Sequence, residues 1–118
     1  MKQIEQIYVN DFGMAFFWKE QQTVISEKVQ LVFKETGFYF TLDELHRFMV
    51  LIEDSCRRNH ACESCAMKHQ CHKFLLKTPV SQIDLAVSHK ELSGIKDLVE
   101  GTLFKIGLYE YLFGLGRN

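Results

Sequence analysis

The chain has 118 residues, which fits one domain, and 47% of them are hydrophobic. This apolar content can build a sizeable core, so it excludes a chain that is disordered throughout. The formal net charge of −1 excludes a strongly basic protein that binds polyanions over its whole surface. No apolar run approaches the roughly 18 residues that a membrane-spanning helix needs. The first six residues include polar and acidic side chains where a secretory signal would be apolar, so we expect a cytoplasmic protein.

The first forty residues predict β-strands joined by tight turns. Asn10-Asp11-Phe12-Gly13 and Glu35-Thr36-Gly37 have the composition of turns. Trp18, beside two phenylalanines, is expected in the core. Aromatic and β-branched residues with a period of two indicate hairpins. The predicted strands are 4–9, 14–18, 29–33 and 38–40.

Two capping boxes predict where two helices begin. Thr41 with Glu44, and Ser88 with Glu91, each place a hydroxyl and a carboxylate three residues apart, so that both can bind backbone N–H groups of the first turn. Apolar residues at helical spacing follow in both cases. We expect the first helix to end near Ser55 and the second to be longer.

The two halves of the chain resemble each other. Residues 29–54 and 73–100 both show the order strand, turn, strand, capped helix, which predicts a ββα duplication. The alternative is that any two capped amphipathic helices look this similar. With a duplication, the predicted fold is α+β, with one antiparallel sheet and both helices on one face of it.

The second predicted helix contains two glycines, Gly101 and Gly107, at which it can bend or end.

All four cysteines lie within sixteen consecutive residues, between the predicted halves. Cys56, Cys62, Cys65 and Cys71 have the spacing Cys-x5-Cys-x2-Cys-x5-Cys. In a reducing cytoplasm such a cluster predicts a metal site rather than disulfides. We therefore divide the single domain, 1–118, into residues 1–55 with strands and the first helix, a cysteine segment at 56–72, and residues 73–118 with a second hairpin and a long helix.

The identity of the metal is left open between two alternatives. Four thiolates form a closed tetrahedral zinc site, and the same four can hold a [4Fe–4S] cluster. His60, His69 and His72 favour zinc slightly, because an imidazole can replace a thiolate. Disulfides or reduced thiols are the remaining alternative.

Two resemblances bear on the cysteine segment. Cys62-x2-Cys65-x5-Cys71 resembles the cluster-binding triplet of auxiliary iron–sulfur domains in radical-SAM maturases, and the triplet of iron–sulfur nucleases in which a distant cysteine completes the set. These resemblances imply a cluster ligand set and no activity, because the other motifs of those enzymes do not occur. The whole chain resembles small uncharacterised bacterial proteins that combine a cysteine motif with strand and capped-helix repeats, although their cysteines lie nearer the N-terminus.

The cysteine segment is also basic. Arg57, Arg58, Lys68, Lys73 and Lys77 accompany one acid, Glu63, and the first four are the predicted anion contacts. These cations can contact nucleic-acid phosphates, or they can compensate the negative charge of the thiolate centre.

No sequence motif predicts an enzyme. The chain has no Gly-rich phosphate loop, no Gly-x-Ser-x-Gly and no His-Glu-x-x-His. We expect a small binding or adaptor module with a structural metal site. The alternatives are an iron–sulfur redox or sensing protein and a nucleic-acid-binding module.

The C-terminal stretch 103–115 is apolar in nearly every helical direction. One sheet covers only one side of such a helix, so we expect the other side to be an interface, most simply of a homodimer. The alternative is that the N-terminal strands wrap over the helix and bury it. The predicted interface residues are Phe104, Leu108, Tyr111 and Leu115.

Overall fold

The computed structural model describes residues 3–58 and 73–113, apart from the side chain of Phe113. These residues form six strands and two helices, and the fold is α+β, as predicted. In chain order they are β1 (Gln3–Val9), β2 (Gly13–Glu20), β3 (Thr23–Phe33), β4 (Thr36–Thr41), α1 (Leu42–Arg58), β5 (Phe74–Lys77), β6 (Asp84–Val87) and α2 (His89–Phe113).

The first four strands form an antiparallel meander in the order β1-β2-β3-β4. The alternation of β3 is as predicted, because Val29, Leu31 and Phe33 are all buried on one face. Phe38 and Phe40 of β4 pair with Leu31 and Val29 and extend this apolar face. Trp18 is only half-buried and does not join the core, because the pleat turns it to the other face, where it pairs with Ile25.

Two hairpins turn on residues with positive φ. Gln21 and Gln22 (φ 50° and 69°) join β2 to β3, and Lys34 and Glu35 (φ 52° and 60°) join β3 to β4. Positive φ at both central residues is the backbone of a type I′ turn, whose twist matches that of the strands. The turn expected at Glu35-Thr36-Gly37 therefore lies one residue earlier, and Gly37 is a strand residue opposite Val32.

Both helices lie on the same face of the four-stranded sheet and contact each other. α1 packs on β3 and β4, and α2 packs on β1 and β2. Phe48 of α1 is fully buried, with its ring 6.2 Å from that of Phe33 and 5.9 Å from that of Phe40. α1 continues three residues beyond the predicted end at Ser55, and α2 runs through Gly101 and Gly107 without a break.

The two capping boxes form as predicted. The Thr41 N–H donates to Glu44 Oε1 at 2.8 Å, and the Glu44 N–H donates to Thr41 Oγ1 at 3.2 Å. Ser88 and Glu91 repeat the exchange at 2.9 and 3.1 Å. Each box satisfies one N–H of the first helical turn and one at the cap itself.

The second half has the ββα order, as predicted. Its strands do not join the first sheet, although one shared sheet was expected. β5 and β6 pair with each other as a separate two-stranded antiparallel sheet. Leu76 and Leu85 face each other across this hairpin and join the common core, because β5 packs on α1 and β6 on α2. Burying these side chains against the helices takes the hairpin away from the edge of the larger sheet. Residues at equivalent positions of the two helices are buried: Leu45 and Leu92, and Ile52 and Val99.

Two glycines explain how α2 attaches to the N-terminal hairpin. A Cβ at Gly94 would lie 2.1 Å from the Phe12 ring, and a Cβ at Gly101 would lie 2.4 Å from the Tyr8 ring. The rings therefore occupy the space that a side chain would fill. Asn10 fixes the same corner, because its Nδ2 donates to the Gly94 carbonyl and its Oδ1 accepts the N–H groups of Phe12 and Gly13.

Candidate functional site

Most of the predicted metal site lies outside the described residues. Cys56 is the one candidate thiol within them, and no group of three or more potential metal ligands forms among residues 3–58 and 73–113. The candidates outside the described part of the chain are Cys62, Cys65, Cys71, His60, His69, His72 and Lys68, together with Leu115 of the predicted interface.

The described residues fix both ends of the cysteine segment. Cys56 occupies the last turn of α1, where it is half-buried and packs against the core. Phe74 begins β5 on the other side and also packs against the core. α1 and β5, the two described elements that flank the cysteine segment, contact each other.

Charge pairs hold the two flanks of this segment. Arg57 and Arg58 both reach Asp54, at 3.3 and 3.0 Å, and both remain largely exposed. Lys73 lies 3.5 Å from Glu91, which also accepts a 2.9 Å hydrogen bond from Lys34. The hydrogen bond from Lys34 is the main cause that lowers the pKa of Glu91 to about 2, with the Ser88 N–H and Lys73 acting in the same direction.

Arg57, Arg58 and Lys73 therefore each have an acidic side chain of the same chain as a neighbour. Exposed ion pairs contribute about 0–1 kcal/mol, so Arg57 and Arg58 are still able to exchange Asp54 for another anion. Lys73 differs, because it lies at the junction of the two halves of the chain, beside the capping box of α2. We interpret Lys73 as part of that junction and the two arginines as a small basic surface at the end of α1.

The C-terminal half of α2 exposes an apolar stripe. Phe104 is 68% exposed, Leu108 is 41% exposed and Tyr111 is 79% exposed, at spacings of four and three residues. The opposite side of the same helix carries Thr102 and Ile106, which are buried. Spacing of this kind is typical of a helix that packs against another helix.

A groove of about 260 Å³ adjoins the stripe. It lies between β1 and α2 and is lined by Ile7, Leu108 and Leu112, with Gln6, Lys105 and Tyr109 completing its walls. Tyr8 and the N-terminal hairpin cover α2 around Gly94 and Gly101, and Phe104, Leu108, Tyr111 and Leu112 remain exposed. The alternative that the N-terminal strands bury this stretch therefore does not hold for Phe104, Leu108, Tyr111 and Leu112.

A second apolar surface was not anticipated from the sequence. Ile4, Val9, Val32 and Tyr39 are exposed on the face of the four-stranded sheet that is turned away from the helices. Phe16 and Trp18 lie among them, with their rings edge to face at 5.0 Å, and Trp18 Nε1 donates to Gln30 Oε1 at 3.2 Å. The sequence does contain a signal for this surface: β2 is apolar at consecutive residues, from Met14 to Trp18, and so on both of its faces. This pattern is typical of a strand that is covered on both faces.

Comparisons with known proteins give no further identification. No family model, no curated protein and no solved structure matches this chain. Within residues 3–58 and 73–113, neither helix is long and apolar enough to cross a membrane.

Proposed function

We propose that this chain is a small binding or adaptor module that docks through the exposed stripe of α2 and holds one structural metal centre in its cysteine segment. The observation that carries the proposal is the exposure of Phe104, Leu108 and Tyr111 in successive turns. Exposed aromatic side chains of this size in water usually belong to an interaction surface. The partner is another protein or a second copy of the chain.

Two observations support the metal centre: the four cysteines in one short segment, and the packing of Cys56 against the core at the end of α1. Cys56, Cys62, Cys65 and Cys71 provide the four thiolates that a zinc ion or a [4Fe–4S] cluster requires. The position of Cys56 at a packed helix end supports a structural role, because one ligand is already fixed by the fold. Metal binding would then order the segment between α1 and β5.

Metal analysis after anaerobic purification tests this proposal. A cluster gives brown protein with broad absorption near 400 nm and about four iron atoms per chain, whereas a zinc site gives colourless protein with about one zinc per chain. Protein that contains neither metal in stoichiometric amount contradicts the metal centre. Reversible reduction of a bound cluster, without unfolding, would instead support the alternative of a redox or sensing protein.

A nucleic-acid-binding module is the second candidate, and one observation bears on it. Arg57 and Arg58 are exposed side by side at the end of α1, next to Cys56. Their shared contact with Asp54 makes a local ion-pair role on α1 the simpler explanation. Salt-dependent binding of an RNA or DNA oligonucleotide that the double substitution Arg57→Ala, Arg58→Ala abolishes would favour the nucleic-acid role.

A further inference from the structure

The groove beside Leu108 and Leu112 lies at the edge of the four-stranded sheet. β1 is an outer strand of that sheet, and no strand among residues 3–58 and 73–113 pairs with its free side. The walls of the groove come from β1 and α2 alone, with Ile7 on one side and the two leucines on the other. Because no residue of β2 lines it, the groove follows the outer side of β1 rather than the middle of the sheet.

The free side of β1 carries backbone hydrogen-bonding groups that the sheet does not use. Every second residue of an outer strand directs its N–H and C=O away from the neighbouring strand. β1 spans Gln3–Val9, so these groups extend over roughly 20 Å. Proline and unpaired charges often protect such an edge, but β1 has no proline, and its one charged residue, Glu5, is paired with Lys19 at 3.2 Å. The edge is therefore open to a further strand.

A bulge in β1 connects this edge to the groove. The register between β1 and β2 shifts between Gln6 and Tyr8, which makes Ile7 the extra residue. A bulge changes the direction of a side chain, and here the buried Ile7 side chain forms the β1 wall of the groove. The bulge interrupts regular pairing at one residue, so an added strand would pair along residues 3–6 and lie beside the groove where that pairing ends.

Lys105 gives the groove a positive charge. Its side chain is exposed on α2, and no acidic side chain in the described part of the chain forms an ion pair with it. The other polar walls of the groove, Gln6 and Tyr109, are uncharged. An apolar groove with one unpaired cation is complementary to a ligand that carries apolar side chains next to a carboxylate.

We propose that this groove binds an extended segment of another protein, which adds as a strand to the free side of β1. Its apolar side chains lie beside Leu108 and Leu112, and a carboxylate lies beside Lys105. The inference rests on the proposed function, because it names the partner of the same docking surface. Strand addition combines main-chain hydrogen bonds, which give affinity, with a pocket for side chains, which gives specificity. A helical partner would fill the groove but leave the backbone groups of β1 without partners.

The first experiment selects ligands for the metal-loaded full chain. The probe is a displayed library of random peptides of about eight residues, close to the length of β1. We expect enrichment of peptides with apolar residues at alternate positions and one Asp or Glu. A selected peptide labelled with fluorescein should bind with a dissociation constant in the micromolar range, measured by fluorescence anisotropy. No enrichment, or enrichment of apolar residues at helical spacing, overturns the inference.

Methylation of the peptide backbone tests the added strand directly. In a strand at the edge of a sheet, only every second N–H points to the neighbouring strand. Single N-methyl groups along the selected peptide should therefore weaken binding at alternate positions and leave it nearly unchanged at the positions between. A uniform effect, or no effect at any position, contradicts pairing with β1.

Two substitutions in α2 test the groove. Leu112 is 57% exposed, and Leu112→Glu should weaken binding by about tenfold or more, because it places a charge in the apolar wall. Val50→Glu is the matched control, since Val50 is a 61% exposed residue of the other helix, and it should leave binding unchanged. Lys105→Glu should reverse the preference, so that a peptide with Lys in place of its acid binds this variant better than the original peptide does. Equal loss of binding in Leu112→Glu and Val50→Glu, or no reversal, overturns the inference.

The same measurements separate this inference from the proposed function. A peptide that binds as a helix, and that Leu112→Glu releases, retains docking on α2 and overturns only strand addition. Wild-type protein with full metal content that binds no peptide also overturns only this inference. A chain without metal that binds the extended peptide supports the inference and contradicts only the metal centre. Circular dichroism of each variant should match the wild type, because the substituted residues are exposed.

Discussion

Replacing two glycines of α2 by alanine should have opposite effects on stability. Gly107 has no atom within 4 Å of the position of a Cβ, whereas a Cβ at Gly101 would lie 2.4, 2.5 and 2.6 Å from three atoms of the Tyr8 ring. Both positions lie inside the same uninterrupted helix. The two substitutions therefore make the same change in helix propensity and differ in what the new methyl group meets.

The expected magnitudes follow from these two terms. Alanine is more favourable than glycine inside a helix by about 1 kcal/mol, so Gly107→Ala should stabilise the protein by that amount and raise Tm by about 4 °C. Gly101→Ala gains the same propensity but overpacks a contact, which costs about 1–3 kcal/mol, so a net loss of about 1 kcal/mol is expected. The Tyr8 ring has to leave Gly101, and its 2.9 Å hydrogen bond to Asp97 breaks.

Urea unfolding of both variants, with and without Tyr8→Ala, forms a double-mutant cycle that isolates the contact. In the Tyr8→Ala background, Gly101→Ala should become stabilising like Gly107→Ala. Equal stabilisation by the two alanines in the wild-type background would refute the reasoning, because it would mean that Tyr8 does not occupy the space above Gly101.

Three further predictions concern the junction, the metal centre and the core. The pKa of Glu91 is lowered from 4.5 to about 2 in the folded chain. The stability that the ionised carboxylate contributes is therefore present above pH 4.5 and is lost as the pH falls through 2. Glu91→Gln should therefore cost about 2 kcal/mol at pH 7, after allowance for solvent screening, and only a small part of that at pH 2, where the folded-state carboxyl is half protonated. Urea unfolding measures both values, with Glu44→Gln as the capping-box control, whose carboxylate accepts the Thr41 N–H. Cys65→Ser should release the metal, detected by elemental analysis, while far-UV circular dichroism keeps the signal of α1 and α2; full metal retention would exclude Cys65 as a ligand. Phe48→Ala should cost about 3–5 kcal/mol in urea unfolding, because it opens a cavity among fully buried rings; a loss below about 1 kcal/mol would contradict that packing.

Local chemistry was enough to predict the capped helices and most strands. Thr41 with Glu44 and Ser88 with Glu91 satisfy backbone groups within four residues of themselves, so their structure depends little on the rest of the chain. The period of two in β3 likewise reports burial on one face. The exposure of Phe104, Leu108 and Tyr111 was also predictable, since a helix that is apolar all round exceeds what one sheet can cover.

The partition of strands into two sheets was decided by tertiary packing. The hairpin of β5 and β6 has the same local pattern as β3 and β4, so its sequence does not state which neighbour it pairs with. Pairing with β4 would have extended the sheet, but contact with α1 and α2 buries Leu76 and Leu85 in the common core. A strand can form the same backbone hydrogen bonds with any neighbouring strand. Burial of side chains against residues distant in the chain therefore decides where the hairpin lies.

The sequence by itself determined the α+β composition, both helix starts, the candidate thiolates and the apolar surplus of α2, because each depends on residues close together in the chain. Only the tertiary structure decided the role of Gly94 and Gly101, whose missing side chains make room for Phe12 and Tyr8 more than eighty residues away. It also decided that Trp18 lies on an open sheet face, since strand alternation gives two faces and packing of the helices selects which one is covered.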